Sequence, residues 1–108
     1  MKATPILYLV ALSFDCSQRE QEFNKWYNEV HVPDVLKAPG VIGATRYEAI
    51  RAQEAQPRYL AIYELESEEA IDFFLASPEL KNARMDFAAR WQSHVSDRSS
   101  LWYKPIIP

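Results

Sequence analysis

Along Thr4–Phe14 both alternating sets of positions are apolar: Ile6, Tyr8, Val10 and Leu12 on one, Leu7, Leu9 and Ala11 on the other. A strand of that kind is covered on both faces. The period then changes. Ser17 is a candidate cap for a helix beginning near Gln18, with Glu20 and Glu22 in the first turn, where they suit the helix dipole. At about 100° per residue, Arg19, Phe23, Trp26, Tyr27, Val30 and His31 share one face, and Asn24, Lys25 and Asn28 lie opposite. Val32 precedes Pro33, which disfavours helical geometry and predicts a break there. Pro33 then opens a short second turn, "PDVLKA", which "APG" ends.

Val41–Arg51 reads as a second strand, "AQEAQP" as a polar hairpin loop, and Arg58–Glu66 as a third strand. In the third, Tyr59, Ala61, Tyr63 and Leu65 alternate with Leu60 and Ile62. Ser67, Glu68 and Glu69 begin another helix through Phe73 and Phe74, and Ser77-Pro78-Glu79 restarts it as a cap followed by proline. From Pro78, residues Leu80, Arg84, Phe87, Ala88, Trp91, His94 and Val95 share a face. "SDRSS" reads as a break, and Leu101–Ile107 as the fourth strand.

The order β-α-β-β-α-β is the α+β, ferredoxin-like arrangement: a four-stranded antiparallel sheet with helices on one face. Two helices cover only that face, yet the first strand is apolar on both. A second copy of the sheet is the simplest cover, which predicts a homodimer.

Length and charge narrow the partners. The 108 residues make one domain, residues 1–108. A net charge of −3, with no basic patch, disfavours nucleic acid. The start "MKATPILYLVALSFDC" imitates a secretion signal, but Phe14 and Asp15 stand where a cleavage site needs small residues. The apolar run is also far short of the ~20 residues of a membrane span. With Cys16 alone and no disulfide framework, the expectation is a cytoplasmic protein with no membrane partner.

The run "FNKWYNEVHVPDVLKAPGVIGATRYE", then "RYLAIYEL" and the "SPEL" restart, resembles the EthD-like branch of the dimeric α/β-barrel superfamily. Its most specific part is the W-Y-x-x-x-H-x-P-x-x-x-x-x-P-G pattern formed by Trp26, Tyr27, His31, Pro33, Pro39 and Gly40. The resemblance implies a ligand cavity between each subunit's sheet and helices, with two sheets forming a barrel. It admits polyketide cyclases, dehydratases, lactone isomerases, cofactor-free monooxygenases, haem-degrading enzymes and proteins of no known activity.

His31 is the leading candidate for catalysis, since an imidazole both accepts and donates a proton near neutrality. Its competing reading is a helix-end histidine satisfying free carbonyls. Tyr27, one turn back, is a candidate hydrogen-bond donor to a substrate carbonyl. Tyr8, Tyr47, Tyr59 and Tyr63 offer strand hydroxyls, of which only those on the helix side reach a cavity. Arg84 and His94 are the odd members of an apolar helix face. Arg84 suits a carboxylate or enolate oxygen, or else a snorkelling rim position. Asp34 either orients His31 or favours the start of its own turn. Phe23, Trp26, Phe87 and Trp91 are candidate ring-binding walls.

Two histidines without ligand spacing leave no metal site, and no glycine-rich phosphate loop or G-x-S-x-G elbow occurs. The expectation is a cofactor-independent enzyme acting by acid/base chemistry on an apolar, oxygenated ring compound, as a lyase or dehydratase, cyclase or isomerase. The alternatives are a non-catalytic ligand-binding dimer and a cofactor-free or haem-dependent monooxygenase.

Overall fold

In the computed structural model, which describes residues 4–107, the chain forms a four-stranded antiparallel sheet in the order β2-β3-β1-β4. The strands are β1 (Ile6–Phe14), β2 (Val41–Glu48), β3 (Tyr59–Leu65) and β4 (Val95–Tyr103). Met1–Ala3, the beginning of the run weighed as a leader, lie outside the described residues. The helices are α1 (Glu20–Trp26) and α2 (Val32–Leu36), then α3 (Ala70–Ala76) and α4 (Pro78–Trp91). This is the expected ferredoxin-like order. Among the described residues no helix is long and apolar enough to cross a membrane.

The alternation in β1 separates two environments. Ile6, Tyr8, Val10, Leu12 and Phe14 are buried beneath the helices, and the residues between them are only half-buried on the open face. β3 repeats the pattern from Tyr59 to Leu65. Register carries it across the sheet. Tyr47 pairs with Leu60 on the open face, while Arg46 pairs with Ala61 on the helix face. The open face therefore presents Leu7, Leu9, Leu60, Ile62, Tyr47, Leu101 and Tyr103.

Two expected boundaries are corrected. Pro33 does not break the first helix; the chain runs helically from Glu20 to Leu36 through a π-helical segment, Tyr27–His31. The Val32 amide donates to the Tyr27 carbonyl, five residues back, and this widened turn lets the continuous helix take in Pro33, which has no N–H to donate. Val32 stays helical (φ −60°, ψ −47°) against its usual preference before proline. Nor does "SDRSS" end in a loop before a strand at Leu101. It lies inside β4, which begins at Val95 and ends at Tyr103, short of Ile107.

β4 accommodates the polar run with a bulge. Between the pairs Ala11–Ser99 and Ser13–Ser96 it carries one residue more than β1. Asp97 takes up the irregularity at φ +53°, a left-handed geometry that aspartate tolerates better than most residues.

The other boundaries shift by a few residues. The second strand stops at Glu48 and the following helix begins at Ala70, with Ser67–Ala70 forming a turn. Ser77 caps α4 as expected, its Oγ accepting from the Leu80 amide at 3.3 Å. Gly40, at φ +84°, ends the α2 connection where a Cβ would stand 2.7 Å from that of Ala70.

A candidate acid/base cavity

The interior beneath the helices is packed at one end and hollow toward the other. At the packed end Phe14 stacks on Phe23 (4.3 Å between centroids), and Trp91 meets Phe23 edge-on at 5.4 Å. Further along, a cavity of about 340 Å³ opens between the sheet and α4. β1 contributes Tyr8, Val10 and Leu12 to its wall, β3 Tyr63, and β4 Val95 and Arg98. From the helices come Tyr27, His31 and Val35 on one side and Leu80, Arg84, Phe87 and Ala88 on the other, with Gln92 just beyond α4. The volume is at the lower end of the range for small-molecule sites.

The π-helical segment supplies Tyr27 and His31 together. The His31 ring is held by aromatic packing: Trp26 stacks on it at 5.4 Å, Tyr27 meets it edge-on at 4.8 Å, and Phe87 lies at 5.3 Å. Its Nδ1 is sealed from solvent without a hydrogen-bond partner. Burial lowers the pKa of His31 to about 4, outweighing the opposing influence of Asp34; the cation of Arg98 adds to the lowering. At neutral pH the imidazole is uncharged and able to accept a proton.

Two phenols accompany it. Burial raises the pKa of both Tyr27 and Tyr63, so both remain hydrogen-bond donors at neutral pH. The Tyr63 hydroxyl is buried with no hydrogen bond of good geometry, and the Tyr27 phenol is its polar neighbour. Behind Tyr27, the Arg46 guanidinium lies 4.0 Å from the ring centroid and donates to the Asn28 side-chain oxygen at 3.0 Å. On the far wall Arg84 donates to the Tyr8 hydroxyl at 3.0 Å.

Of the residues singled out from sequence, Tyr8, Tyr27, His31, Tyr63, Arg84 and Phe87 meet around this cavity. Phe23, Trp26, Asp34, Tyr47, Tyr59, Trp91 and His94 do not line it. Phe23 and Trp91 are spent in the packed end, 0% and 2% exposed. Trp26 backs the His31 ring and, on its other side, faces a shallow surface groove. Tyr47 projects from the open face and is half exposed. Asp34 does not hydrogen-bond His31; it pairs with Lys37 at 3.5 Å. His94 lies in the turn after α4, against Phe14.

Arg98 and Gln92 were missed, along with the apolar lining. The bulge explains Arg98. One extra residue lets Val95 and Arg98, three apart, both face the cavity. A lone cation in a serine run flanked by apolar strand residues was the available signal. Among the described residues no group of three or more potential ligands could hold a metal ion.

The fold recurs in proteins of known structure at low identity. An EthD family protein from Bacillus halodurans superposes with a TM-score of 0.70 at 14% identity, over 94% of this chain and 99% of that one. SnoaB, a cofactor-independent oxygenase from Streptomyces nogalater, gives 0.67 at 13% identity, over 98% and 97%. The haem degrader MhuD from Mycobacterium tuberculosis gives 0.68 at 19% identity, over 96% and 98%. The resemblance to EthD-like proteins thus holds in the fold. No curated protein has a sequence that matches this chain. The sequence from residue 5 to residue 104 does match one family model, and the chain belongs to that family, described as a domain of unknown function, DUF4286.

Proposed function

We propose that this chain is a homodimeric enzyme acting, without a cofactor, by general acid/base chemistry on an apolar, carbonyl-containing cyclic or aromatic compound. The observation that carries this reading is His31: an uncharged imidazole in the wall of the cavity, with the Tyr27 phenol beside it and the Tyr63 phenol on the sheet. His31 would take a proton from the carbon beside the carbonyl. A phenol would donate to the oxygen as negative charge develops there. The protonated imidazole would then return the proton to another carbon, giving an isomer, or to a leaving hydroxyl, giving elimination. The open apolar face of the sheet, with Leu101 and Tyr103 half exposed, supports the dimer.

The residues fit a haem poorly. The His31 ring is enclosed by Trp26, Tyr27 and Phe87, and His94 lies outside the cavity. One observation favours a non-catalytic binding protein: no third group orients His31 through Nδ1.

A thermal-shift screen of aromatic, terpenoid and lactone carbonyl compounds tests the reading. A ligand at ~100 times its Kd adds about 2.7 kcal/mol of stability. Hits are then followed by NMR in D2O for exchange of the proton beside the carbonyl. His31→Ala is expected to bind the hit and lose exchange by at least ~100-fold. Exchange at the wild-type rate in that variant removes His31 from the chemistry.

A further inference from the structure

The charges around the cavity are one-sided in a chain whose net charge is −3. Arg84 and Arg98 both line it, and no aspartate or glutamate does. The two carboxylates that act on His31 from outside are Asp34 and Asp86, and each is already paired, with Lys37 at 3.5 Å and with Arg90 at 2.9 Å. Among the described residues neither Arg84 nor Arg98 has a carboxylate within 4.0 Å.

Both cations are exposed side chains at the rim of the cavity, and they reach it by different means. Arg84 rises from the apolar face of α4 and is fixed by one donation to Tyr8, which leaves its other N–H groups free. Arg98 is delivered by the β4 bulge, whose Asp97 occupies an uncommon backbone geometry, and its guanidinium stands 6.0 Å from the Phe87 ring centroid. Phe87 thus lies beside a cation as well as beside His31. A planar guanidinium matches a carboxylate through paired N–H donors better than any neutral oxygen does.

We infer that the ligand of this cavity is an anion: a mono- or bicyclic aromatic carboxylate, its acid group held by Arg84 and Arg98 and its ring against Phe87. This keeps the aromatic ring of the reading above, replaces its apolar compound by an anion, and rests on the same cavity. It separates two roles within the cavity. The arginines bind a charge that stays constant, while His31 and the phenols face the part of the molecule that reacts.

The test compares 1-naphthoate with its neutral amide, 1-naphthamide, by isothermal titration calorimetry on the full-length protein. The acid is expected to bind at least about tenfold more tightly, the scale of a charged hydrogen bond. R84Q and R98Q should each cost the acid more affinity than the amide and so erode that preference. R98K should keep part of it, and R90Q, which changes a cation outside the cavity, should keep all of it. Equal affinity for acid and amide overturns the inference, as does failure of both to bind, or a preference that survives R84Q/R98Q. The two readings fail separately. For an aromatic acid that also carries an acetyl group, binding through the arginines without exchange of the acetyl protons counts against the enzyme only; a neutral compound turned over through His31 counts against the anion only.

Discussion

The two ends of the interior are built from the same helices and the same strands, yet one is solid and the other hollow. Phe23 and Phe87 make the point. Both are aromatic, both sit on helix faces directed at the sheet, and their centroids are 6.2 Å apart. Phe23 is fully enclosed by Phe14, Tyr27 and Trp91, whereas Phe87 gives part of its surface to the cavity. A helix face tells which side is buried. Whether that side meets another side chain or an empty volume depends on residues brought in from distant strands.

The sharpest way to break this comparison is to truncate both rings. Phe23→Ala should cost about 3–5 kcal/mol in urea denaturation, since its packed surroundings collapse little. Phe87→Ala should cost clearly less, because part of that ring has no packing partner to lose. Equal costs would mean that the hollow end is no looser than the solid one.

Next in size is the pH response of the hollow end. His31 has a pKa of about 4 in the folded protein against 6.5 as a free side chain, so between these values the unfolded chain binds the extra proton. Stability is therefore full above pH 6.5 and falls as the pH is lowered toward 4, by at most roughly 3 kcal/mol from this group. His31→Gln should remove that slope while keeping the broader acid transition of the carboxylates. An unchanged slope in the variant would show that the ring is not held in a neutral, buried state.

A smaller effect is expected at the bulge that shapes the cavity rim. Asp97→Val should cost about 1–2 kcal/mol, since a branched side chain resists the left-handed geometry, whereas Asp97→Gly should be neutral or stabilising. Thermal melts of the two variants, run side by side, measure it.

The least disruptive change is Tyr63→Phe, which removes a buried hydroxyl with no good partner. It should leave stability within about 1 kcal/mol of wild type. Tyr59→Phe is the contrast, because that hydroxyl donates to Glu20 and accepts from Asn24 at 3.0 Å, and its loss should be felt more. A loss at Tyr63 equal to that at Tyr59 would place a hydrogen bond where none is drawn.

How much of this was legible in the sequence follows from the kind of signal involved. Period-two alternation in Ile6–Phe14 and Tyr59–Leu65, and the Ser77-Pro78 restart, are local patterns, and the strand and helix order followed from them. Helical spacing put His31, Tyr27, Arg84 and Phe87 on apolar helix faces; the cavity against those faces came from the family resemblance, and Arg84 stood open between cavity and rim. Spacing could not remove Phe23 and Trp91 from the wall, since they satisfy the same rule as Phe87. Tyr47 needed the cross-strand register, which no single strand carries. Arg98 needed the bulge, an irregularity that reverses the alternation halfway along β4. The π-helical turn was hidden for a related reason: a proline advertises a stop, and a widened turn is another way to satisfy it.

β4 has a consequence beyond its own geometry. Inward it carries Arg98 and Val95 at the cavity; outward it carries Leu101 and Tyr103 on the uncovered face of the sheet. One ribbon of backbone therefore borders both the ligand and whatever lies against that face. Free energies of binding at two such sites are reciprocal. If assembly tightens the grip on a ligand by some factor, the ligand must tighten assembly by the same factor. Affinity titrations at two protein concentrations would then read the association of subunits without observing it directly.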